Sequence, residues 1–221
     1  MISRFVRKLT VNNFIKEEQQ IRLLMALILF SLILIPKVQA SEALKLELKE
    51  MGRIDQAIRA EITEIGWHQV PKHLVDKLQS IDRHHCHRLK EIVAGHGWPS
   101  ISLVGQESVD AAFLLLQHCP DTEFRVEVLP MLKSSFLKGK GINGQQLALF
   151  TDRTLLAQGQ KQLYGTQAKL VAGKLVFEPI AEKEKLNIRR VEMGLPSMQE
   201  YRKILMEVYK IDEAKFSDLE R

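Results

Sequence analysis

The densest group of side chains with chemical reach is His84-His85-Cys86-His87. His84 and His87 are three residues apart, so on a helix both face one side and both can reach one metal ion. A zinc site needs about four tetrahedral ligands, or three and a water. The chain contains neither Cys-x-x-Cys nor His-Glu-x-x-His, and His85 falls on an apolar stripe, where a packed core histidine is the simpler reading. No metal is expected. No cofactor is expected either, because the glycines form neither a phosphate-binding loop nor a dinucleotide fingerprint. His118-Cys119 sets an imidazole beside a thiol, which is nucleophile chemistry only if the two side chains meet. Chain neighbours commonly point apart, and buried structural cysteine is the commoner case. There is no Gly-x-Ser-x-Gly, although a Ser/His/Asp triad is defined by geometry and not by spacing.

Two further constellations stand out. Asp152-Arg153 lies in a helical pattern with apolar neighbours. Both charges need partners there, since an unpaired buried charge is very costly, and a structural ion pair is the simplest answer. Tyr164-Gly165-Thr166-Gln167 sets three hydrogen-bonding side chains around a glycine in an expected strand. Glycine in a strand permits close approach of a ligand or another backbone; a bulge with a polar surface is the alternative.

The elements that must position these residues are mostly helical. Leu44, Leu48, Met51, Ile54, Ile58, Ile62 and Ile65 recur in steps of three and four, one face of a helix over 41–66 that Gly66 ends. A second helix opens at Pro71, with Leu74, Leu78, Ile81, His85, Leu89 and Ile92 on its face and Gly95 and Gly97 at its close. Residues 107–118 form a third, apolar all round at Ala111–Leu116 and therefore expected at the centre. Asp121 or Thr122 caps a fourth, which Pro130 is expected to kink or split. After the loop 138–144 a fifth helix carries Leu147, Phe150, Thr151, Thr154 and Leu155 and stops at Gly159. The period then changes from 3.6 to 2. Residues 160–170 and 175–179 read as a hairpin around Ala172-Gly173, with Gln162, Tyr164 and Thr166 on one face. A sixth helix spans 181–193, and Ser197-x-x-Glu200 is a capping box opening the last.

The first forty residues have a different character. A basic segment precedes a thirteen-residue apolar and serine run, Leu23 to Ile35, and Val38-Gln39-Ala40 places small residues before Ser41. That order is a secretory signal with cleavage after Ala40. Thirteen helical residues reach about 20 Å against a hydrocarbon core of about 30 Å, which favours a cleaved signal over a retained anchor. Subtracting the leader's six basic and two acidic side chains from 32 and 27 leaves 26 and 25, so the basic balance belongs to the leader. No nucleic-acid footprint remains, and a membrane is expected only through a retained leader. Cys86 and Cys119 allow one pairing; two separate buried thiols are the simpler reading, and a disulfide is the alternative that an oxidising compartment permits. The expected organisation is a leader at 1–40, a helical domain at 41–210 and a charged tail at 211–221. The fold class is mainly α: a single helical domain with one small antiparallel β-hairpin, preceded by a signal peptide.

Taken together, Asp55-Gln56 with Arg59, Asp82, Gly97-Trp98-Pro99, Val104-Gly105, Gln117-His118, Thr151-Asp152-Arg153, Gln162-x-Tyr164-Gly165-Thr166-Gln167, Pro179-Ile180, Arg189-Arg190, Gly194-Leu195 and Tyr201 resemble a bacterial family of unknown function, the one numbered six-six-two-four. The resemblance runs over about residues 50–205, in order and at compatible spacing. One departure is local: the family follows Gln-His with Ala-Asp, whereas Cys119-Pro120 precede Asp121 here. The resemblance implies a shared fold and a shared site, and no reaction. It singles out Asp55, Arg59, Asp82, His118, Asp152, Arg153, Gln162, Tyr164, Gln167, Arg189 and Arg190, polar residues on mainly amphipathic or buried elements, several of which are expected to converge. Convergent polar groups in an apolar domain make a pocket. The primary expectation is an exported domain that binds a small polar or anionic ligand through Asp82, Arg153, Gln162, Tyr164, Gln167, Arg189 and Arg190. The alternatives are an envelope enzyme with His118 as general acid or base and Asp152 or Asp82 orienting it, and an interaction protein whose polar cluster is purely structural.

Overall fold

The computed structural model describes Arg22, Met25 and residues 39–171, 174–212 and 216–217. The leader's apolar run, save Met25, and the hairpin turn Ala172-Gly173 lie outside the described residues. The chain divides into two units, Met1–Leu44 and Lys45–Arg221. The described residues of the first are helical. Among the described residues no helix is long and apolar enough to cross a membrane.

The second unit is built from helices with a small sheet near its end. α1 covers 45–65. It is followed by α2 (Lys72–His96), a one-turn α3 (Ile101–Val104), α4 (Gln106–His118), α5 (Thr122–Leu137) and α6 (Gly144–Ala157). β1 (Ala168–Val171) and β2 (Lys174–Phe177) pair antiparallel. A 3-10 turn at Lys183–Lys185 leads into α7 (Leu186–Glu192), then α8 (Met198–Tyr209). In the expected tail, β3 (Phe216–Ser217) adds to β2 in parallel.

The core follows from the apolar periodicity. α4 buries Val109, Ala112, Phe113, Leu115 and Leu116 and lies against α1, α2 and α6. Gly52 of α1 faces Ala111 so closely that an added Cβ would meet the alanine Cβ at 2.9 Å. Phe113 meets Phe150 of α6 edge-on, ring centroids 6.2 Å apart. Each such side chain, fully buried, contributes about 1.5–3 kcal/mol. On α1 the buried stripe is Leu48, Met51, Asp55, Ile58 and Ile62. Ile65, expected on it, is exposed, and a carboxylate takes the position beside Ile54. His85 is buried in the core as its stripe predicts.

One local expectation is narrowed and two need correction. α5 runs through Pro130 without splitting. The carbonyl that proline leaves unpaired belongs to Val126, whose side of the helix is exposed, and a carbonyl that faces solvent does not need an intrahelical partner. Residues 160–167 are not a strand. Only Gln162 bridges, in parallel, to Ile180, because the backbone turns at Gly165 (φ 64°) around a carboxylate described below. The helix expected from Ala181 begins five residues later, since the carbonyls of Ala181 and Glu182 turn instead to the Arg189 guanidinium.

Cys86 of α2 and Cys119, the residue after α4, form a disulfide. It closes a 33-residue separation and fixes the C-terminal end of α4 to the middle of α2. By the chain-entropy account a loop of that length is worth about 3–4 kcal/mol. Reducing the full-length protein should therefore shift its urea midpoint downward by an amount equivalent to about 2–4 kcal/mol. An unchanged midpoint would mean that packing alone holds α4 to α2.

Candidate functional site

The family-motif residues fall into two clusters with opposite character. The first is assembled by helix spacing. Asp55 and Arg59 are four apart and share one face of α1; Asp82 comes from α2; His118 is the last residue of α4. His118 Nδ1 lies 2.8 Å from Asp55 Oδ1. Arg59 donates from one guanidinium nitrogen to Asp55 Oδ1 and from the other to Asp82 Oδ1, each at 2.8 Å. The Gln56 amide donates to the second Asp55 oxygen at 2.8 Å. Asp55 is 1% exposed, whereas the His118 side chain keeps 23% of its surface open.

Burial alone would raise the Asp55 carboxyl. The His118 hydrogen bond and charge, the Gln56 amide and the Arg59 guanidinium outweigh it and hold the pKa below the ordinary aspartate value. A histidine whose Nδ1 faces a buried carboxylate presents Nε2 outward in a defined orientation, the arrangement that makes an imidazole a directed acid or base. The expected partners of His118 were Asp152 or Asp82; its hydrogen bond goes to Asp55 instead, a residue the family motif contains. The signal was in the sequence, since Asp55 lies four after Met51 and three before Ile58, on the apolar stripe itself.

Donor atoms of Asp55, Asp82 and His118 lie within 4.8 Å of one another, a spacing that suits a metal ion. The Arg59 guanidinium already bridges the two carboxylates and supplies the positive charge an ion would bring. Close by in the electrostatics, buried His85 feels Asp55 and Asp82, but burial dominates and pushes its pKa down; its Nδ1 is buried without a hydrogen-bond partner.

The second cluster is centred on three buried side chains, Asp152, Gln162 and Arg190. Asp152 is fully buried and does not pair with Arg153. Its oxygens accept the backbone N–H groups of Leu163 (2.7 Å), Tyr164 (3.0 Å) and Thr166 (2.9 Å) and the Thr166 hydroxyl (2.9 Å). Gln162, also fully buried, donates to the carbonyls of Gln167 and Glu178 and accepts the Gln167 N–H. Gln167 turns its own amide onto Thr166 Oγ1. Arg189 donates to the carbonyls of Leu163 and Ala181. Arg190, 1% exposed, donates to the carbonyls of Pro196 and Tyr164 and stacks over the Tyr201 ring at 4.7 Å. Among the described residues no carboxylate meets Arg190 in an ion pair. Tyr164 is half-buried, and burial, then Asp152, pushes its hydroxyl pKa up.

Among the described residues no hydrogen bond joins His118 to Asp152, Tyr164 or Arg190. Arg153 reaches towards the first cluster, donating to the Gln117 side-chain oxygen at 3.2 Å. The residues that follow His118 have structural duties: Cys119 is in the disulfide, and Asp121 accepts the Phe124 N–H as the cap of α5 and pairs with Lys90. A groove of about 440 Å³ between α2 and α5 is lined by Lys90, Val93, Asp121, Phe124, Glu127 and Met131; none of the expected site residues lines it.

A family of unknown function (DUF6624) matches residues 42–213. Neither the curated proteins nor the solved structures contain a match.

Two outcomes follow from the clusters. Asp152→Ala strips three backbone N–H groups and a hydroxyl of their buried acceptor and should cost about 3 kcal/mol or more in urea unfolding; Asp152→Asn, which keeps an acceptor, should cost less. Asp55 has a lowered folded pKa, so its contribution to stability is complete above the unfolded value of about 3.9 and is lost as pH falls through the folded one. Melting curves between pH 7 and pH 2 should show Asp55→Asn less stable than the parent at neutral pH and the gap closing in acid. A gap that persists at pH 2 would assign the loss to packing.

Proposed function

We propose that this chain, which belongs to the family of unknown function DUF6624, is an exported domain that takes a small polar substrate at the end of α4 and performs acid–base chemistry on it with His118. The carrying observation is the 2.8 Å contact between His118 Nδ1 and buried Asp55. Asp55 is the positioning residue: it holds the proton on Nδ1, leaving Nε2 to accept or deliver one. Arg59 and Gln56 keep the carboxylate ionised and oriented, and Asp82 holds Arg59. Export is supported by the basic, apolar, small-residue order of residues 1–40 and by the Cys86–Cys119 disulfide, a bond characteristic of oxidising compartments. Nucleic acid is not a partner in this reading, since the charges of residues 41–221 nearly cancel.

The test is a turnover screen of the full-length protein against small polar esters, amides and phosphoesters. Removing a positioned general acid or base costs about 10²–10⁴-fold, so His118→Ala should lose turnover by that factor while its melting temperature stays near the parent's. Asp55→Asn should lose activity too, and nitrogen NMR of the imidazole should show the Nδ1–H preference gone. A screen without turnover, or an active His118→Ala, would refute the acid–base role.

A further inference from the structure

α5 and α6 pack against each other, and the short turn between them, 138–143, returns α6 antiparallel along α5. Arg125 stands 12 residues before the end of α5 and Arg153 nine after the start of α6. At 1.5 Å per residue these are about 18 Å and 14 Å from the turn, so the two residues sit at nearly one level of the hairpin. They act on each other: burial first, and the Arg125 charge second, push the Arg153 pKa below the usual arginine value.

Among the described residues neither arginine has a carboxylate within ion-pair distance. Arg153 donates to the Gln117 side-chain oxygen at 3.2 Å. Arg125 makes only a long 3.4 Å bond to Thr122 Oγ1, and its Nε is buried with no acceptor. Asp121 is the acidic group that acts on Arg125, but its oxygens are engaged by Lys90 and by the Phe124 N–H. Two partly desolvated cations held together, one with an orphaned donor, are unfavourable alone and complementary to an anion. Planar guanidinium forks suit oxyanions in particular. Gln117, its oxygen turned to Arg153, leaves an amide NH2 as a donor on the same side chain.

We propose that Arg125 and Arg153 form a binding site for a small oxyanion, the phosphoryl or carboxylate group of a ligand, with Gln117 completing the donor set. The inference goes beyond the acid–base reading and stands without it, because it uses no atom of His118 or Asp55. Arg125 lies outside the family motif, which is why the sequence did not point to it.

Calorimetric titration of the full-length chain, in chloride buffer at constant ionic strength, with sodium phosphate in one arm and sodium acetate in the other, tests the site and separates the two sources of the oxyanion. A saturable one-site isotherm is expected in at least one arm. Arg125→Met should weaken it at least tenfold and Arg125→Lys by less, since the lysine keeps the charge and loses the fork. His118→Ala should leave it unchanged, which distinguishes failure of this site from failure of the acid–base proposal. Without anion, Arg125→Met should melt no lower than the parent, because the substitution removes like-charge repulsion. The proposal is overturned if neither anion gives a saturable isotherm, if Arg125→Met binds as tightly as the parent, or if that variant melts lower without anion, as the loss of a purely structural contact would.

Discussion

A carboxylate on the apolar face of a helix must be met by positive charge and hydrogen-bond donors, and at Asp55 that demand recruits three helices. Arg59 comes from the next turn of α1 and draws in Asp82 from α2; His118 arrives from the end of α4. The apolar packing of α1 on α4, tight enough to require glycine at position 52, sets the distance between these helices. The charges set how they are rotated about their axes. The disulfide one residue beyond His118 fastens the third helix where the second passes. Packing, charge and covalent bond thus specify one place in the molecule by independent means.

The two polar clusters use buried charge differently. Around Asp152, Gln162, Arg189 and Arg190 nearly every partner is a backbone group, so these side chains take the place of a missing strand ladder and shape the segment 162–167. Around His118 the partners are other side chains, one of which stays open to solvent. Backbone partners make the Asp152 cluster a scaffold; the Asp55 cluster is a chain of side chains that ends in a partly accessible imidazole. Arg153 sits next to Asp152 in sequence, yet it points away from it to Gln117, because successive helical positions differ by about 100°.

The sequence announced the helices because their apolar residues repeat on a helical period and their ends carry recognisable punctuation. Asp121 caps α5, Ser197 and Glu200 make the capping box of α8, and Gly97 turns the chain after α2. The hairpin was legible for the same reason, over Ala168–Val171 and Lys174–Phe177. The segment 160–167 was not, because period two there reflects which side chains turn inward to bind backbone and not a sheet. The polar residues of the candidate site were visible as a set, through the family motif; their pairing was not. From the sequence Asp152 reads as a partner of Arg153 or His118, and in the structure it serves amides eleven to fourteen residues on. Pairing of this kind depends on helix rotation, which spacing along one chain does not encode.

The segment Leu163 to Thr166 is held mainly by main-chain groups: three N–H groups on Asp152 and the carbonyls of Leu163, Tyr164 and Thr166 on Arg189, Arg190 and Tyr201. Its path is therefore set little by the side chain that Leu163 carries. Such a loop separates shape from display. A substitution at Leu163 can therefore change what the surface offers while the turn beneath keeps its form.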